Sequence, residues 1–157
     1  MVLLLKILFF FFGRSLSFLS NRDNNIKNEI LYLPDGFKIV VKVFGLDNPV
    51  LCFKKNDNKL CYSLTCDIDD ADLIIEFKSL KSALKIFLGL KGLEVGFAEK
   101  RMTLKGMIAD GLMFTRISMI VQRYLFPAFI CKRIMKKLPE INNLLRIKLY
   151  LYGIVRG

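Results

Sequence analysis

The sequence predicts an α+β domain: about five short, mostly antiparallel strands in one sheet, covered on one face by helices. Three observations predict it. Apolar and polar residues alternate in short runs between Phe37 and Phe77, the period becomes helical from Ser79 to Leu90, and alternation returns at Arg101–Lys105 before a long helical stretch. Strands, then a helix, a returning strand and terminal helices are the order of a sheet with helices layered against it.

The first segment is an apolar run, Val2 to Phe12, in which only Lys6 is polar. It is shorter than the roughly 20 residues that span a bilayer, and extending it to Leu19 brings in Arg14 and serines. A cleaved secretory signal is the rival reading, but Lys6 sits inside the run and no A-x-A-like site follows. An interfacial or cavity-covering helix fits the run better than a signal or a span. Ser20 to Asn28 is polar and turn-rich and reads as a linker. The chain therefore divides into 1–28, an apolar helix and linker; 29–123, the α+β domain; and 124–157, a basic amphipathic extension.

Pro34-Asp-Gly36 turns the chain into the first strand, where Phe37, Ile39, Val41 and Val43 share one face. Pro49 to Lys54 and Leu60 to Ile68 form a hairpin around Lys55-Asn-Asp-Asn-Lys59, and Leu73, Ile75 and Phe77 repeat the alternation. Ser79 is an N-cap for a helix whose apolar face is Leu80, Ala83, Leu84, Phe87 and Leu88, with Lys81 and Lys85 opposite and Gly89 and Gly92 as stops. A short Leu93 to Glu99 segment carries Phe97, and Met102 and Leu104 alternate with Arg101, Thr103 and Lys105 in the last strand. After Gly106 a helical pattern runs through Leu112, Met113, Ile117, Ile120, Val121 and Tyr124 until Pro127 ends it. A basic helix from Ala128 to Leu138 is stopped by Pro139, and Ile141 to Gly157 has mixed periodicity that assigns no element.

Composition narrows the function. The 157 residues are 54% hydrophobic, above the roughly 45–50% of ordinary soluble domains, and the excess calls for a bilayer, a partner or a ligand cavity. The net charge is +11, and residues 128–157 alone hold seven cations against one anion. Lys132, Arg133, Lys136 and Lys137 interleave with Phe129, Ile130, Ile134, Met135 and Leu138, the mixture of a helix lying on an anionic membrane surface; a plain solvated face is the alternative. Nucleic acid is the weaker partner, because the aromatic residues near the basic tail have apolar neighbours.

With no His, the chain has no Ser-His or Cys-His nucleophile pair and no histidine-ligated metal. Cys52, Cys61, Cys66 and Cys131 show no C-x-x-C spacing and read as small buried hydrophobes or free thiols, which favours a reducing compartment: the cytoplasm or the cytoplasmic face of a membrane. Asp67, Asp69, Asp70 and Asp72 lack the glycine and distal Glu of a calcium loop and mark a turn. No glycine-rich phosphate loop is present. The expectation is a protein without catalytic residues, cofactor or metal.

From Phe37 to Ile117 the chain resembles the sterol carrier protein family, the small lipid-binding domains related to sterol carrier protein 2. Three places carry the resemblance: the strand Asp70-Ala-Asp-Leu-Ile-Ile-Glu-Phe77; Gly96-Phe97 ahead of Arg101-Met-Thr-Leu-Lys-Gly106; and Gly111-Leu-Met-Phe114 at the start of the next helix. Two departures stand out: Lys100 where the family has Gly, and about two extra residues between Gly106 and Gly111. The resemblance implies a sheet roofed by helices over an apolar cavity for a sterol, fatty acyl or other lipid. Its walls would be Leu84, Phe87, Leu88, Leu93, Phe97, Met102, Leu104, Met107, Leu112, Met113, Phe114 and Ile117, a set rich in the adaptable side chains that suit flexible ligands. The function expected is non-catalytic lipid binding or transfer with reversible membrane docking. The alternative is a structural or interaction protein with an ordinary packed core that binds a protein partner through its apolar basic ends.

Overall fold

β1 (Lys38–Val43) lies at the centre of a five-stranded sheet with β2 (Leu51–Asn56), β3 (Lys59–Ser63), β4 (Leu73–Phe77) and β5 (Met102–Lys105), in the order β3-β2-β1-β4-β5. This computed structural model describes residues 1–153. Three of the four strand pairings are antiparallel; β1 and β4 run parallel, with Ile39 beside Leu73 and Val43 beside Phe77. The sheet is therefore mixed. Side-chain alternation is the same in both kinds of pair, so this pairing left no mark on the sequence pattern.

One face of the sheet presents Ile39, Val41, Val43, Leu51, Phe53, Leu73, Ile75 and Phe77 to the main core. The same alternation puts Lys55 inward, where it is buried and its ammonium donates to the Leu33 carbonyl. The opposite face carries a smaller cluster, Val40, Val50 and Cys52, covered by Ile68 and Ala71, and a Lys42–Glu76 ion pair at 3.0 Å.

Seven helices complete the described fold: α1 (Val2–Ser20), α2 (Asn24–Ile30), α3 (Leu80–Phe87), α4 (Leu93–Ala98), α5 (Ile108–Leu125), α6 (Ala128–Ile134) and α7 (Asn143–Lys148), the last running into a wider π turn at Leu149–Gly153. α3 begins at the Ser79 cap and ends at Gly89, whose N–H donates to Ile86 O while that of Leu90 reaches Lys85 O.

Four expectations are corrected. The segment read as a linker holds α2: the Asp23 carboxylate accepts from the N–H groups of Asn25 and Ile26, and Ile26 and Ile30 bury one face. β3 stops at Ser63, and the residues after it fold back over the sheet because Cys66 is disulfide-bonded to Cys52. That bond removes the premise, four unpaired thiols, on which the reducing-compartment reading rested. α6 ends at Ile134, short of Leu138. Lys132–Lys136 and Arg133–Lys137 would be like charges at i, i+4 in a longer helix, and Pro139 disfavours the helical state at Leu138.

Candidate functional site

α1 decides what lies between sheet and helices. By length and composition it is long and apolar enough to cross a membrane, yet in this fold Leu5, Phe9, Phe12, Leu16 and Leu19 form a stripe buried in the core. Phe87 is the hub, edge-on to Phe9 at 5.0 Å, Phe12 at 5.2 Å and Phe77 at 5.9 Å. Gly13 allows the approach to the sheet: a Cβ there would sit 2.6 Å from the Tyr62 ring.

Of the residues expected to line a cavity, Leu84, Phe87, Leu93, Met102, Met113, Phe114 and Ile117 are buried in the main core, and Phe97 and Leu104 pack against it. Leu88, Met107 and Leu112 face solvent. The structure brings the buried set together around α1 as packed core. Only Phe87 of the twelve also lines the apolar groove that lies nearby.

That groove has a volume of about 390 Å³. Leu8, Phe11 and Phe12 of α1 form one wall, Phe87 the base of another, Gln122 and Leu125 of α5 with Phe126 just beyond it a third, and Tyr150 caps it. Polar anchors hold the α5 wall and the Tyr150 cap together. The Tyr150 hydroxyl donates to Leu125 O at 2.8 Å, and Arg146 Nη2 donates to Phe126 O at 3.2 Å, so the C-terminal segment is strapped to the end of α5. Beneath them Tyr124 donates to Asp23 Oδ2 at 2.7 Å and accepts from Asn142 N–H at 3.1 Å. Burial, then the Asp23 hydrogen bond, pushes the Tyr124 phenol up to about 12.

Gln122 is the polar member of the groove and is 2% exposed. Its Nε2 donates to Ile86 O at 3.2 Å, which fixes the amide, and its Oε1 has no partner among the described residues. Periodicity pointed to the apolar residues around Gln122 and passed over it; Tyr150 lay in the unassigned tail.

The basic surface is as exposed as its sequence implies. Phe129 is 73% exposed, and Lys132, Arg133, Lys136 and Lys137 are exposed beside it. Cys131, Ile134 and Met135 bury the other side of this segment against Met119 and Phe126. α1 adds a second exposed feature: Leu3, Leu4, Ile7 and Phe11 form an apolar stripe that runs into the groove, with Leu3 71% exposed.

The places that carried the family resemblance have steric reasons. Gly96 packs so closely that a Cβ would meet Ile86 Cδ1 at 2.6 Å, and one at Gly111 would meet Leu104 Cδ1 at 2.7 Å. Gly106 has φ +128° with Asp72 O 2.6 Å from a built Cβ. Lys100 holds φ 54°, the left-handed region, at the turn where the family has glycine.

No protein-family model matches the sequence, and no curated protein matches it. Among solved structures, one described as "UbiJ-SCP2 Ubiquinone synthesis protein" superposes with a TM-score of 0.51 at 14% identity, covering 69% of this chain and 90% of that chain. The likeness is one of architecture: the chain has the α+β fold of an SCP2 domain.

Proposed function

We propose that the chain binds a lipid without catalysing its conversion, in the groove between α1, α5 and Tyr150, and docks reversibly on an anionic membrane surface. The observation that carries this reading is the apolar stripe Leu3, Leu4, Ile7 and Phe11, which leads from the exposed start of α1 into the groove. A stripe of that kind is costly in water and gives an acyl chain a continuous apolar path. Each buried CH₂ contributes about 0.8 kcal/mol. The groove volume lies within the range of ligand sites, and Gln122 Oε1 is an acceptor for a ligand's hydroxyl or amide. Phe129 with Lys132, Arg133, Lys136 and Lys137 would hold the membrane, each cation near the surface adding about 1 kcal/mol.

Extraction of the purified protein with organic solvent, followed by mass spectrometry, tests the ligand. Stoichiometric lipid that is lost in a folded Leu8→Trp/Leu125→Trp variant supports the groove. Replacing the four cations with Gln should abolish sedimentation with anionic vesicles at low salt; unchanged sedimentation rules out this docking face.

The packing of α1 into the core favours a second reading, an interaction protein without an interior ligand. The exposed row Leu144, Ile147 and Leu151 on the C-terminal helical segment would be its contact face. No extractable lipid, together with a concentration-dependent oligomer lost on Ile147→Ser, would establish that reading instead.

A further inference from the structure

A second concavity, of about 350 Å³, opens between the C-terminal half of α1, β3 and the Leu149–Gly153 turn. Its chemistry is the reverse of the apolar groove. Among the described residues three cations line it, Arg14, Arg22 and Lys59, with hydroxyls from Ser17, Tyr62 and Tyr152, and no carboxylate. Among the described residues, none of the three cations is in an ion pair.

The two guanidinium groups are pre-positioned by aromatic rings. Arg14 lies over Phe10 at 5.2 Å, and Arg22 over Phe18 at 4.2 Å. Arg22 Nη1 also donates to Phe18 O at 3.1 Å and Asn21 Oδ1 at 3.0 Å, which explains Arg22 as a brace at the end of α1. Arg14, whose side chain is half-buried, has no such role: its Nε is buried and has no acceptor among the described residues. An unsatisfied charged donor inside a protein calls for a partner, and this one belongs to a pocket whose charged side chains are all cationic.

We propose that this pocket binds a phosphate monoester group. Planar guanidinium forks match phosphate oxygens, and three cations with hydroxyl donors suit a tetrahedral dianion better than a single carboxylate. The shared chemistry is the monoester, carried either by a lipid headgroup or by a soluble phosphate. The inference does not rest on the lipid-binding reading.

Calorimetric titration of the full chain at low salt tests it, with inorganic phosphate, glycerol 3-phosphate and dihexanoyl phosphatidic acid below its micelle concentration. The expected result is saturable binding at one site, weakened about tenfold or more by Arg14→Gln, since loss of a charge-assisted hydrogen bond is worth about that factor. Lys59→Gln, at an exposed position, should weaken binding in a chain whose fold is unaffected. Lys81→Gln/Lys85→Gln lowers the net charge by the same kind of change at exposed positions outside the pocket and should leave binding intact. Tighter binding of phosphatidic acid than of the soluble phosphates assigns the site to a lipid headgroup; equal binding assigns it to soluble phosphate. Absence of saturable binding by all three probes overturns the proposal. So does equal affinity in wild type, Arg14→Gln and Lys59→Gln, or an equal loss in the Lys81→Gln/Lys85→Gln control.

Discussion

Tyr124 is the largest side chain that the core encloses completely, and its hydroxyl joins three segments distant in sequence. Asp23 accepts from it while capping α2, and the backbone of Asn142 donates to it ahead of α7. Removing the hydroxyl leaves a buried carboxylate and a backbone N–H each short of a partner, so Tyr124→Phe should cost about 1–3 kcal/mol in urea unfolding at pH 7. The phenol also sets an alkaline limit. Its pKa is raised from 10.0 to about 12 in the fold. Below pH 10 both states keep the proton; between about 10 and about 12 the unfolded chain loses it first, so stability falls across that window. Tyr32, raised to about 12 by burial and its hydrogen bond to Asp110, adds to the same slope. Unfolding curves at pH 7, 10 and 11 should therefore show a fall that is shallower in Tyr124→Phe; an identical slope in both proteins would remove Tyr124 from the account.

Among the elements, the disulfide between Cys52 and Cys66 pins the chain after β3 over the outer face of the sheet, where Ile68 and Ala71 cover Val40 and Val50. Closing a loop of this size stabilises by about 3 kcal/mol in the chain-entropy picture, so Cys66→Ser should lower the unfolding free energy by about 2–3 kcal/mol. Alkylation in denaturant should label two thiols without reductant and four with it; four in both conditions would dismiss the pairing. In the native protein Cys61 should react first, because Cys131 is buried and burial pushes its thiol up. The bond was not legible in the sequence, since spacing alone does not select partners among four cysteines. The strands were legible, because alternation reports a face directly: Ile39, Val41 and Val43 point where their period says. α2 was hidden by Asn24, Asn25 and Asn28, although Asp23 and the Ile26, Ile30 pair carried its signal. For the site, the sequence identified the apolar residues but not their state. Met113, Phe114 and Ile117 look the same as cavity wall or as packed core, and what fills the space is α1, a segment outside the resemblance.

At the scale of the whole molecule, α1 belongs to two environments at once. Its inward stripe, Leu5, Phe9, Phe12, Leu16 and Leu19, completes the core of the SCP2-like sheet, while its outward Leu3, Leu4 and Ile7 remain exposed. A helix that spans a bilayer loses little when either face is truncated, because lipid surrounds both. A helix that docks on the sheet and touches the membrane with its free side behaves asymmetrically. Phe9→Ala removes a fully buried ring and should cost about 3–5 kcal/mol. Leu3→Ser/Ile7→Ser alters exposed positions and should change stability by no more than about 0.5 kcal/mol per site. The order reverses for vesicles: the serine pair should weaken sedimentation with anionic vesicles, while a folded Phe9→Ala protein should sediment as the wild type does. Salt adds the last discrimination, since the Lys132, Arg133, Lys136 and Lys137 contribution is screened at high ionic strength and the apolar contribution of α1 is not. If Phe9→Ala leaves stability unchanged, α1 is not a core element, and the space it fills between sheet and helices returns as the cavity that the sequence first implied.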